Sequence, residues 1–102
     1  MPLSVIICTS PQRETHLNLC LEQLYQQSYV DFEIIVMDDG SEKGYGIAQN
    51  YQTKLPLTYH WRSNDGCLSR SRYRGIILAR YPNLVLIDSD ILLNPHALKY
   101  YS

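Results

Sequence analysis

Four carboxylates and several hydroxyls stand where they could do chemistry together. Thr9-Ser10-Pro11 follows one short apolar run, Asp38-Asp39-Gly40-Ser41 a second, and Asp88-Ser89-Asp90 a third. If those runs are strands of one sheet, all three groups reach one rim. Like charges gathered there repel unless something offsets them. A bound cation would do so, and so would the hydrogen-bond donors of a ligand. Each group also has a plainer reading. Asp, Gly and Ser favour turns and helix N-caps, so residues 38–41 could simply lead into a helix. Asp38 in particular suits capping or orienting more than direct ligand contact. Residues 88–90 could be an exposed loop with stray carboxylates, although the apolar run before them argues for a fixed place at the rim.

The elements that would position these groups can be read from hydrophobic periodicity. Residues 3–8, 32–37 and 84–87 are apolar and rich in β-branched side chains, as strands buried on both faces of a parallel sheet are. Residues 57–61 alternate, which fits an edge strand with one wetter face. Between them, Leu17, Leu21, Leu24 and Tyr25 recur with a helical period, with Cys20 on the same side, giving a helix over about 14–27. Residues 46–53 form a weaker helix, because Gly44 and Gly46 loosen its start. A third helix over 67–80 carries Leu68, Ile76 and Ala79, and Tyr81-Pro82 stops it. Asn94-Pro95 resembles an N-cap followed by proline at the first helical position, so a further helix begins there. The order β-α-β-α-β-α-β plus the start of another helix predicts an α/β, Rossmann-like parallel sheet of about four strands flanked by helices. Ligands of open parallel sheets sit beyond the carboxyl ends of the strands, where the polar groups above lie.

Composition removes several function classes. The chain has 102 residues, 9 basic and 10 acidic, and a net charge of −1. No basic face stands out, so nucleic acid is not an expected partner. No apolar run is long enough to cross a bilayer. Met1-Pro2 leads into the first strand without a secretory n-region. The three cysteines, Cys8, Cys20 and Cys67, lack metal-type spacing and read as reduced, mostly core residues of a cytoplasmic protein. Gly-x-Gly-x-x-Gly is missing after the first strand, and so is a Gly-Lys-Ser/Thr loop. Both absences weigh against dinucleotide binding and P-loop chemistry. His16, His60 and His96 are scattered; His96 is near Asp90 in sequence, but a surface helix position explains it as well.

Taken in order, these segments resemble the GT-A-type glycosyltransferases of family 2. Residues 4–9 look like that family's opening strand and residues 27–41 like its second-strand signature. Residues 64–76 resemble its glycine-plus-Ala-Arg-Asn-x-Gly helix, and Leu86-Ile87-Asp88-Ser89-Asp90 resembles its Asp-x-Asp motif. The resemblance implies a nucleotide-diphospho-sugar donor, UDP-linked, with Mn²⁺ or Mg²⁺, and transfer with inversion to an acceptor that is a glycan, a lipid or a protein. It implies that Thr9 lines the base pocket and that Asp39 accepts from the base imide. Asp88 would contact the ribose or sugar, Asp90 would hold the metal, and Arg72 would lie near the diphosphate. The chemistry agrees. A carboxylate only accepts, which suits a ring N–H, and hard divalent cations take oxygen ligands. Asp88 and Asp90 are two apart, so in extended chain they project to the same side. Gly66 either admits a diphosphate to backbone N–H groups or simply makes a turn. Pro11-Gln12 and Tyr73 depart from the family pattern, where an aromatic-Asn pair and an asparagine are usual. The resemblance places the general base beyond Ser102, so residues 1–102 read as the donor-binding portion of a truncated domain, inactive by itself. Any membrane contact would then come through missing parts, and the cut face, with Tyr100-Tyr101, could drive self-association. The alternative is a stand-alone nucleotide-binding or interaction module of the same fold.

Overall fold

The computed structural model describes residues 2–64, 66 and 68–88. Strands β1 (Leu3–Thr9), β2 (Phe32–Asp39), β3 (Leu57–Arg62) and β4 (Leu84–Asp88) alternate with helices α1 (Glu14–Tyr25), α2 (Gly44–Gln52) and α3 (Leu68–Leu78). The expected helix after Asn94-Pro95 lies outside the described residues, as do Asp65, Cys67, Asp90, His96 and Tyr100-Tyr101. All strand pairs are parallel, in the order β3-β2-β1-β4. The chain steps outward from β1 through β2 to β3, then crosses to the other side of β1 for β4. The topological switch point therefore falls between the carboxyl ends of β1 and β4, where ligands of such sheets bind. Among the described residues no helix is long and apolar enough to cross a membrane.

Alternation along each strand divides the core in two. Leu3, Val5 and Ile7 of β1, Phe32, Ile34 and Val36 of β2, and Val85 and Ile87 of β4 face α1 and α2. There they meet Leu17, Cys20, Leu21 and Leu24 of α1 with Ala48 and Tyr51 of α2. Tyr25 departs from its expected place on the buried stripe: it is 50% exposed, and Lys54 Nζ stands 5.5 Å from its ring centroid.

The opposite face is smaller. Ile6 and Cys8 of β1 pack there with Ile35 and Met37 of β2, next to Ala79. Helix α3 covers it through small residues. Ser71 and Gly75 are buried, whereas Ile76, assigned to the buried side by sequence, is exposed together with Ile77 and Leu78. A Cβ on Gly75 would lie 2.5 Å from Ile6 Cγ2 and 3.3 Å from Met37 Cγ. The helix can lie this close only because that position has no side chain. Its end is tied down by Glu33, whose Oε2 accepts from Arg80 N at 2.7 Å and from Ser4 Oγ at 2.6 Å.

Candidate functional site at the carboxyl ends of the strands

β2 delivers two adjacent carboxylates, and strand alternation sends them to opposite faces. Asp38 continues the face of Ile34 and Val36 and is buried. Its Oδ1 accepts from Ser41 N at 2.9 Å, and its Oδ2 from Ser41 Oγ at 2.5 Å and from the Tyr59 hydroxyl. Ser41 Oγ in turn accepts from Gly44 N at 3.0 Å, satisfying one of the open donors at the start of α2. Burial, then the bond to Asp38 and its negative charge, push the Tyr59 hydroxyl well above the usual tyrosine range, with Ser41 pulling slightly the other way. Asp38 is thus a structural hub, as its capping chemistry suggested, and does not join a rim cluster of carboxylates.

Asp39 lies on the other face and is only 6% exposed. Its Oδ2 accepts from Gly66 N at 3.3 Å. Gly66 has φ +69° and also donates to Asn64 Oδ1 at 2.8 Å. Of the two roles open to this glycine, the structure displays the turn, with its N–H directed to Asn64 and Asp39. Gly40 follows Asp39 at φ +91°, and a Cβ there would meet Asn64 Cβ at 2.7 Å and Asn64 N at 2.8 Å. Only glycine fits both that backbone and that approach. The β2–α2 and β3–α3 loops therefore lock together around Asp39.

Thr9 ends β1 opposite Asp38 in register. It is 4% exposed, and its Oγ1 has no hydrogen-bond partner among the described residues. Asp88 ends β4 opposite Cys8, which puts Thr9 and Asp88 on the two strands that flank the switch point. Asp90 lies outside the described residues; among those described, no group of three His, Cys, Asp or Glu side chains could hold a metal. Arg72 is half-buried on α3 between the exposed Arg70 and the half-buried Arg74.

The β3 end holds residues that sequence reasoning missed. Arg62 lies opposite Asp39 in register, and Trp61 Nε1 donates to Ser41 O at 2.8 Å. A cavity of about 330 Å³ opens beside them, lined by Met37, His60, Trp61 and Arg62 with Arg74, Ile77 and Leu78 of α3. The signal was available: Arg62-Ser63-Asn64 follows a predicted strand just as the other three polar groups do.

This arrangement can be set against known proteins. The model for the family described as glycosyl transferase family 2 matches residues 4–100. The chain belongs to that family. Among relatives of this family 2 chain, hyaluronan synthase from Pasteurella multocida is 36% identical over 93 residues, covering 88% of the chain and 10% of that protein. Cholesterol galactosyltransferase from Borreliella burgdorferi is 34% identical over 89 residues, covering 86% of the chain and 25% of that protein. Solved structures of S. aureus TarS 1–349 with UDP-GlcNAc and with UDP match at TM-score 0.89 and 29% identity, covering 98% of the chain and 30% of theirs. The mannosyltransferase PcManGT from Pyrobaculum calidifontis, in complex with GDP-Man and Mn²⁺, matches at TM-score 0.80 and 17% identity over 96% of the chain and 30% of that protein, a likeness of fold. The family 2 chain thus has the expected GT-A-type, Rossmann-like architecture and spans between 10% and 31% of the length of the curated relatives it matches.

Proposed function

We propose that this chain binds the donor for an inverting glycosyltransferase, holding a UDP-linked sugar beyond the carboxyl ends of β1, β2 and β4. The observation that carries this reading is the buried Thr9 hydroxyl, which has no partner among the described residues and stands beside the switch point. Native proteins rarely leave such a group unsatisfied, and a nucleoside supplies both donors and acceptors. Asp39 then takes the base imide N–H, because a carboxylate only accepts. Arg72 offers charge to the diphosphate. Support also comes from the TarS complexes, whose fold superposes on this chain and which hold UDP-GlcNAc and UDP.

Asp88 is assigned to the ribose or sugar and Asp90 to Mn²⁺ or Mg²⁺. Carboxylate oxygens are the ligands such hard cations take, and β4 ends beside the switch point at Asp88, two residues before Asp90 in the sequence. When bound, the ion supplies charge neutralisation for the departing diphosphate. In a single displacement the acceptor hydroxyl bonds to the anomeric carbon as the bond to diphosphate breaks, and its proton passes to a general base. None of the residues assigned above is that base. Donor binding is therefore proposed for this chain alone, and transfer only where acceptor-side residues accompany it. The buried thiols of Cys8 and Cys20 suit the reducing cytoplasm.

The test is a calorimetric titration of UDP, with and without Mn²⁺, beside Asp39→Asn. The amide keeps the shape and an acceptor for Gly66 N–H but loses the charge. With the amide oxygen kept by Gly66 N–H, losing the imide bond to a charged acceptor is expected to cost about 1.5–3 kcal/mol, or roughly ten- to hundredfold in affinity. A folded chain that does not bind UDP, or an Asp39→Asn variant that binds it equally well, would refute the assignment.

A further inference from the structure

Two aromatic side chains of the edge strand β3 are bonded to the loop that carries Asp39. Tyr59 donates its hydroxyl to Asp38, immediately before Asp39. Trp61 donates Nε1 to the carbonyl of Ser41, two residues after it, at 2.8 Å. Asp38 and Ser41 are themselves joined through Ser41 N and Ser41 Oγ. The dipeptide Asp39-Gly40 is therefore a short bridge between two anchored ends. Asn64 lies so close to Gly40 that a Cβ there would meet it at 2.7 Å, and the Asp39 carboxylate accepts from Gly66 N–H.

Core packing alone does not account for these anchors. Trp61 is 54% exposed, so most of its ring remains in water while its one donor reaches the loop. Tyr59 packs only at the margin of the larger core, and its ring lies against Tyr45 with centroids 5.7 Å apart. A phenylalanine at either position would keep most of that apolar surface. What it would lose is the hydrogen bond to the loop.

We infer that Tyr59 and Trp61 are positioning residues that set base selectivity by fixing where the Asp39 carboxylate stands. The inference rests on the donor-site reading above. The ligand class is a nucleoside diphosphate whose base presents a ring N–H. Uracil does so at N3, whereas cytosine presents only a lone pair there, which a fixed carboxylate repels. A carboxylate free to wander loses both the attraction and the discrimination. Its effect on ribose and phosphate contacts, assigned to β4 and α3, is small.

The test compares Tyr59→Phe and Trp61→Phe with the unsubstituted full chain, reading UDP and CDP affinity by calorimetry and the Gly66 amide by NMR without ligand. Weakening one charge-assisted bond should lower UDP affinity about three- to tenfold. CDP affinity should hold or rise, and the Gly66 amide, shared between Asn64 Oδ1 and Asp39 Oδ2, should shift as the second of these acceptors moves. An unshifted Gly66 amide in both folded variants would overturn the positioning role whatever the ligand does. So would UDP and CDP affinities that fall together, which is the mark of general damage. A shifted amide in a chain that never bound UDP would instead refute the donor-site reading, and base selectivity with it. Trp61→Phe removes one bond at a half-exposed site, so it keeps the test decisive if Tyr59→Phe unfolds.

Discussion

The seat of α2 on Asp38 gives an unusual sign to a familiar substitution. Glycine inside a helix is ordinarily less stable than alanine by about 0.5–1 kcal/mol. Helix α2 has two glycines in its first turn, Gly44 and Gly46. At Gly46 a Cβ would meet nothing within 4 Å, so Gly46→Ala should stabilise the chain by that ordinary amount. At Gly44 a Cβ would overlap Asp38 Oδ2 and come within 2.5 Å of Ser41 Oγ and 3.1 Å of Tyr59 Oη. The carboxylate would have to move, and Ser41 and Tyr59 would lose a buried acceptor. Each buried polar group left unpaired costs about 1–3 kcal/mol. With one or two of them loosened, less the helix-propensity gain, Gly44→Ala should lose about 2–4 kcal/mol. Urea unfolding followed by circular dichroism, with the two variants compared at equal m-values, reads the difference directly. A Gly44→Ala chain as stable as Gly46→Ala would mean that the Asp38 hub is loose, and the argument for a fixed Asp39 would fall with it.

Two other measurements probe the scaffold. Gly75→Ala should destabilise by about 1–3 kcal/mol through overpacking against Ile6 and Met37, despite its gain in helix propensity; an unchanged urea midpoint would show that α3 can shift outward at no cost. Burial pushes the Cys20 thiol from 9.0 up to about 12. The folded chain therefore keeps a proton that the unfolded chain gives up. This stabilisation is fully present below pH 9 and is lost as pH rises towards 12, at up to about 1.4 kcal/mol per pH unit. Tyr51 and Tyr59 are shifted in the same direction, so the comparison must be with Cys20→Ala, whose stability should decline more gently between about pH 9 and 11. Parallel declines would show that the thiol ionises freely in the folded chain.

The strands and their order of appearance were legible because runs such as Val5-Ile6-Ile7 are apolar on both sides, as strands of a parallel sheet covered on both faces are. What periodicity could not show was how closely an element approaches its neighbour. Helix α3 carries Ile76, Ile77 and Leu78 outward and packs through Ser71 and Gly75. A pattern search for large hydrophobics therefore picks the wrong face. Helix α2 begins at Gly44, two residues before its expected start. The glycine that looked like a weakness is the residue that lets the helix reach the Asp38–Ser41 cap.

For the site, residue type was informative, and orientation was available but easily overlooked. Asp38 and Asp39 are adjacent on one strand, and adjacent strand residues point to opposite faces. They could never have served one ligand together. The apolar residues Ile34 and Val36 already assign their face to the core, so Asp38 had to be an internal group in need of donors. Ser41 supplied two of those donors, and Tyr59 of β3, which alternation puts on the same face as Asp38, supplied the third. Nothing in the sequence pattern linked residue 59 to residue 38, because the link depends on β3 pairing in parallel with β2. Once that pairing is known, parity alone separates the carboxylate that organises the loop from the one that the loop presents.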